Sequence, residues 1–190
     1  MRKYFKYLIT LLLLVTVFSI NTHKALAVEG PAQGRITSTF GYRIDPFTGK
    51  QAVHQGLDIA ASMGTPVYAM QDGFVVFCGS KGGYGNTVVL DHFFSDIPEL
   101  PRLQTLYGHN SKLLVKYGDY VRRGQVIALM GSSGRSTGPH LHFGVIYKNT
   151  YIDPIEYLEK LPSYLAYADK VRVAKQGRNP YGVNTSIGGR

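Results

Sequence analysis

GPHLHFGVIY, residues 138–147, alternates two imidazoles with large apolar side chains. In an extended strand, neighbouring side chains point to opposite faces, so His140 and His142 share one face and Leu141 and Phe143 the other. The apolar face can pack on a core while the histidine face looks into a groove or solvent. Working outward, the same texture recurs in ITSTFGYRI (36–44), TPVYAM (65–70), GFVVFC (73–78), NTVVLDHF (86–93), RLQTLYGH (102–109) and DYVRRGQVIALMG (119–131). These short stretches are rich in β-branched and aromatic residues and are punctuated by Gly, Pro, Asn and Asp. The spacing predicts an all-β sandwich or barrel. SDIPELPRL (95–103), with two prolines, reads as a loop. After Tyr151 the pattern changes, and DPIEYLEKLPSYLAYADKVRVAKQ (153–176) predicts one or two short helices broken near Pro162.

The chain has 190 residues, enough for one domain with a real core. Residues 1–27 read as a signal peptide: Arg2, Lys3 and Lys6 precede the apolar run Tyr7–Ile20, and Ala25-Leu26-Ala27 fits a cleavage site. That run is short of the roughly 20 residues of a membrane span. The expected product is exported, to the periplasm, the cell envelope or the medium. Residues 28–34 read as a linker, 35–155 as the domain, and 156–190 as an extension with a basic tail. With so short a linker, no inhibitory pro-segment is expected before the domain.

The net charge is +9, of which four positive charges lie in the leader, where there is no acid. The remaining excess suits an acidic partner such as a wall polymer or an anionic membrane surface, met through the tail. Nucleic acid is not expected, because no nucleic-acid motif is present and the chain is exported. Cys78 is the sole cysteine and excludes an intramolecular disulfide. Its apolar neighbours mark it as a packed thiol.

Outside the leader there are five histidines: His54, His92, His109, His140 and His142. His54 opens HQGLD, and Gly56 argues against a helix there. In an extended segment His54 and Asp58 face the same side. Two imidazoles and a carboxylate, with a fourth position left for water, make a catalytic zinc site. Two histidines about 7 Å apart along a strand do not both reach one ion at a bond length near 2 Å. One of His140 and His142 is therefore expected to bind and the other to stand beside it, with His109 of LYGHN as its companion. There is no H-E-x-x-H motif, so a helical glutamate base is not available.

HQGLD, YGH and GPHLHF together resemble the LytM/lysostaphin-type zinc metallopeptidases, family M23. The surrounding sequence, over residues 35–155, is similar to that family as well. The resemblance implies that His54, Asp58 and His142 bind Zn2+ and that His109 and His140 are the catalytic histidines. It also implies a single mainly β domain, an antiparallel sheet or sandwich with a groove over the metal, followed by a short helical C-terminal extension. The implied activity is hydrolysis of peptide bonds in peptidoglycan cross-links or stem peptides. The alternative is a non-catalytic scaffold or activator of another wall hydrolase; retention of all five residues argues against it. A regulatory protein partner is compatible with either reading. GDYVRRGQVIALMG also resembles the hairpins of biotinyl and lipoyl carriers, but a lysine at the hairpin tip is missing. Arg43 and Asn86 are weaker candidates for the groove. Tyr107 reads as core and His92 as structural.

Overall fold

The structure is a computed structural model that describes residues 30–92 and 102–176, with side chains through Tyr167. The leader, most of the 95–103 loop and the end of the basic tail lie outside the described residues. Among the described residues, twelve strands and one α-helix follow in chain order, with a single 3-10 turn at Gly82–Tyr84. They are β1 (Arg35–Ser38), β2 (Gly41–Ile44), β3 (Gln51–His54), β4 (Leu57–Ala60), β5 (Pro66–Tyr68), β6 (Gly73–Ser80), β7 (Asn86–Asp91), β8 (Leu103–Leu113), β9 (Tyr120–Val121), β10 (Val126–Met130), β11 (His140–Tyr147), β12 (Thr150–Ile152) and α1 (Pro154–Gln176). The large sheet runs β1-β4-β11-β8-β7-β6-β9, with β12 beside β11 and the β5/β10 pair attached to the far half of β8. Strands β2 and β3 form a separate hairpin. Every pairing among the described strands is antiparallel, as the family resemblance implies.

β11 lies in the interior of the sheet, paired with β4 on one side and β8 on the other. Leu141, Phe143 and Val145 on its apolar face are fully buried with Val67, Met70, Val88, Leu90, Tyr107, Ile127 and Met130. Each such side chain contributes about 1.5–3 kcal/mol by leaving water. This core anchors the strands whose other face carries the histidines.

The C-terminal helix is a single element and is not broken at Pro162. Asp153 caps it, accepting the Ile155 N–H at 2.8 Å, and Pro154 fills the first turn, where no N–H is needed. Tyr157 and Leu161 are buried, and Leu165 packs on the same core one turn beyond Pro162. The apolar stripe docks on both sides of the proline, while Pro162 itself faces solvent. Docking therefore outweighs the lost backbone hydrogen bond.

His92 lies away from the other four histidines. It is buried, with Nδ1 2.9 Å from the Asp72 carbonyl and Nε2 2.7 Å from Thr105 Oγ1. Thr105 in turn meets the Tyr107 hydroxyl, which accepts the Met70 N–H. Burial lowers the His92 pKa from 6.5 to about 4. A depressed imidazole contributes stability that is complete above the unfolded value and is lost as pH falls towards the folded one. Urea unfolding between pH 6.5 and 4 is expected to show this as up to about 3 kcal/mol. In His92→Gln the slope over that window should be shallower by one proton; an unchanged slope would contradict the assignment.

Candidate active site

His54 and Asp58 do not lie on one extended strand. His54 ends β3 in the hairpin, and Asp58 sits in β4 of the large sheet, with Gln55 and Gly56 between. The chain changes sheets there and still brings both side chains to one point. In the register of β4 and β11, Asp58 faces His142 directly, and His140 faces Ala60. His142 is therefore the strand histidine beside the carboxylate. His54 Nε2 lies 3.1 Å from Asp58 Oδ1, His142 Nδ1 lies 2.9 Å from the same oxygen, and the two nitrogens are 3.1 Å apart. All three residues are buried.

The donor atoms of this trio are suited to a metal cation. His54 Nδ1 lies 2.8 Å from the Thr39 carbonyl, an acceptor only, so its proton sits on Nδ1. Its Nε2 then presents a lone pair to a carboxylate oxygen and to another ring nitrogen. A tetrahedral zinc with bonds of about 2.0–2.1 Å holds its ligand atoms about 3.3–3.4 Å apart. The observed spacings are close to that, and two imidazoles with one carboxylate are a zinc donor set. The residues present fit Zn2+. Burial alone would raise the Asp58 pKa, but hydrogen bonding to His142 and His54 outweighs it and holds the carboxyl well below the usual range. Arg43 Nη2 lies 3.4 Å from Asp58 Oδ2 on the groove side.

Gly56 makes the approach of β3 to β11 possible. A Cβ there would lie 2.5 Å from His142 Cε1 and Nε2 and 2.8 Å from the Phe143 carbonyl oxygen. Sequence reading used Gly56 only as a sign against a helix; its contact with a ring 86 residues away leaves no local signal.

His109 reaches the site through a bulge. Along β7 and β8, Asn86 pairs with Asn110 and Val88 with Tyr107, so Gly108 and His109 together oppose Thr87. Tyr107 points into the core. Strict alternation would send His109 to that same side. Instead His109 adopts φ 63, a left-handed conformation rare outside glycine, and its ring comes to 4.6 Å from that of His140 and 5.9 Å from that of His142. The protonated nitrogen is again fixed, because Nδ1 lies 2.8 Å from the Ser133 carbonyl. Burial lowers the pKa to about 4, so the ring is neutral at neutral pH. His140 is held in the same manner, with Nδ1 2.8 Å from the Gly138 carbonyl and 3.2 Å from Ser136 Oγ. Its Nε2 is 3.7 Å from Asp58 Oδ1.

Ser133 was not singled out from sequence and is central to this arrangement. Its hydroxyl accepts the Asn86 N–H at 2.9 Å and donates to the Asn110 carbonyl at 2.8 Å, while its own carbonyl holds His109. Asn86 does not line the groove; its side chain donates to the Asn110 carbonyl, and Asn110 Nδ2 returns a bond to the Asn86 carbonyl. Ser133→Ala is expected to cost about 1 kcal/mol of stability for the lost hydroxyl bonds and to lower kcat about tenfold with KM little changed. Steady-state kinetics beside a thermal melt check this, and a loss confined to KM would refute it.

The cleft over the site is lined by Arg43, Asp45, Phe47, His54, Tyr84, His109, Arg135 and His142, among others. Tyr84 stands 5.1 Å from the His142 ring and 3.5 Å, hydroxyl to hydroxyl, from Tyr151. Tyr107 contributes to the core and not to the cleft.

A buried His–Asp–His donor set with two further imidazoles alongside, all presented by antiparallel strands, defines the β-sheet class of metallopeptidase sites. The pattern of Peptidase family M23 matches residues 52–154, and the chain belongs to that family. It is 42% identical over 149 residues to the DD-carboxypeptidase/endopeptidase Mpg of Neisseria meningitidis serogroup B, covering 78% of this chain and 33% of that protein. It is likewise 42% identical over 123 residues to the peptidoglycan DD-endopeptidase ShyA of Vibrio cholerae, 64% of this chain and 27% of that one. The chain thus spans about a third or less of these curated relatives' length. Among solved structures, a zinc-containing peptidase from Vibrio cholerae superposes with a TM-score of 0.58 at 40% identity, over 66% of this chain and 38% of that one. The catalytic domain of lysostaphin from Staphylococcus simulans gives 0.58 at 34% identity, over 66% and 92%.

Proposed function

We propose that this chain is a zinc-dependent endopeptidase that cuts peptide bonds in peptidoglycan cross-links or stem peptides. The observation that carries the reading is the buried trio His54, Asp58 and His142, at 2.9–3.1 Å, with the rings of His109 and His140 beside it. Zinc held there supplies a Lewis acid that polarises a carbonyl and acidifies water. The protein's own part is proton handling and orientation. His109 is neutral and its Nε2 carries a lone pair, so it can accept a proton from attacking water. The Ser133 carbonyl strengthens its hold on Nδ1–H as the ring becomes cationic. His140, fixed through Nδ1, offers Nε2 3.7 Å from Asp58 Oδ1; when protonated it would donate to the oxyanion and then to the leaving amine. The 4.6 Å between the two rings lets both serve one carbonyl.

The substrate class draws support from the relatives named as peptidoglycan DD-endopeptidases. It agrees with the leader sequence, since peptidoglycan lies outside the cytoplasmic membrane. The excess of basic residues suits attachment to an anionic wall or membrane surface through the tail, and deletion of residues 170–190, which removes five of them, tests it by sedimentation with sacculi: unchanged sedimentation refutes it.

The test pairs zinc analysis with digestion of purified peptidoglycan and mass spectrometry of the fragments. Residues 28–190 are expected to carry one zinc and to convert cross-linked fragments to uncross-linked ones. His140→Ala should retain zinc and cut about 10²–10⁴-fold more slowly. A zinc-loaded chain that releases nothing from sacculi overturns the reading.

A further inference from the structure

Arg135 stands at the rim of the same cleft, in the loop between β10 and β11. Its backbone N–H is donated to the Gly83 carbonyl at 2.8 Å, which fixes the loop to the turn that carries Tyr84. Its guanidinium reaches over to the β2–β3 hairpin. There Nη2 meets Asp45 Oδ1 at 2.5 Å, and the guanidinium carbon lies 4.6 Å over the Phe47 ring. Asp45 Oδ1 also accepts the N–H groups of Phe47 and Thr48, at 2.8 and 2.9 Å, so the hairpin turn holds the carboxylate in place. The aromatic ring sets the plane of the guanidinium. The side chain is nevertheless 47% exposed, on the side open to the cleft.

The described lining of this cleft holds two guanidinium groups, Arg43 and Arg135, and one carboxylate, Asp45. Arg43 is turned towards the metal ligand Asp58. Arg135 therefore has the geometry and the free N–H groups to take a planar anion in two parallel bonds. We infer that Arg135 is a specificity-determining residue that binds a carboxylate of the substrate, and that Asp45 occupies its place in the free chain. The inference rests on the peptidase reading above, which supplies a substrate class rich in carboxylates. In a stem peptide the carboxylate comes either from the chain terminus or from the side position of a diamino acid. Substrate entry exchanges one ion pair for another at the rim, and the hairpin is released from the loop as it does so.

The experiment uses the zinc-loaded chain and three soluble cross-linked stem peptides with the same scissile bond. One is unmodified, one is amidated at the terminal carboxylate and one at the side-position carboxylate. Arg135→Gln is expected to lower kcat/KM about tenfold on the unmodified peptide, the size of a charge-assisted bond at an exposed site. It should leave the rate unchanged on whichever amidated peptide lacks the recognised group, which identifies the source. Asp45→Asn keeps the acceptor for the hairpin turn but removes the competing charge, and should lower KM several-fold on the peptides that keep the recognised carboxylate and not on the one that lacks it. Arg135→Lys should keep part of the preference. Thermal melts of each variant report on folding. An equal fall on all three peptides, or no fall on any, overturns the assignment and leaves the Asp45–Arg135 pair as a structural tie. If the wild-type chain cuts none of the three, the peptidase reading itself fails and this inference with it.

Discussion

Asp58→Asn is expected to leave the chain folded and without zinc. The substitution preserves shape, so the core behind β4 is untouched, but it removes the one negative charge among the three metal-facing residues. A structural zinc site contributes roughly 10–16 kcal/mol in apparent binding free energy. Shared among its ligands, that puts one ligand at about 4 kcal/mol, or about a thousandfold in affinity. Metal analysis after dialysis against a weak chelator should find about one zinc per wild-type chain and almost none in the variant, with matching loss of peptidoglycan cleavage. Circular dichroism should show the β signature retained. A variant that keeps its zinc would falsify the placement of Asp58 at the metal.

Gly56→Ala is expected to do comparable damage from a residue with no chemistry of its own. The new methyl would lie 2.5 Å from two atoms of the His142 ring and 2.8 Å from a backbone oxygen. The ring cannot step aside, because Nδ1 is committed beside Asp58 and the Tyr84 ring lies 5.1 Å away. Overpacking of this kind costs about 1–3 kcal/mol. Because metal sites tolerate displacements of only about 0.5 Å, zinc affinity should also fall, by about 10–100-fold. Urea unfolding and a competitive zinc titration read the two effects separately. If both match wild type, β3 has more freedom to retreat from β11 than the packing allows.

Read in sequence, β11 declares itself because a period of two is a local property: apolar Leu141 and Phe143 alternate with His140 and His142 whatever surrounds them. The same holds for the other strands and for the start of α1, where Asp153 and Pro154 are local signals. The donor types were also legible, since HQGLD, YGH and GPHLHF contain the residues that zinc chemistry needs. Pro162 misled because the propensity of a short segment ignores docking, and Tyr157, Leu161 and Leu165 dock on the sheet past the proline.

The sequence by itself thus determined a mainly β domain and a zinc-type donor set, while family resemblance implied the antiparallel pairing and the five candidate site residues. Tertiary structure decided how they meet. Register between β4 and β11, set by pairing of distant segments, puts His142 and not His140 opposite Asp58. A bulge in β8 turns His109 from the core side to the groove side. Gly56 and Ser133 acquire their roles only through contacts with residues far along the chain. Alternation and donor chemistry are written residue by residue; register, bulges and close approaches depend on pairs of segments, and a pair exists only once the chain has folded.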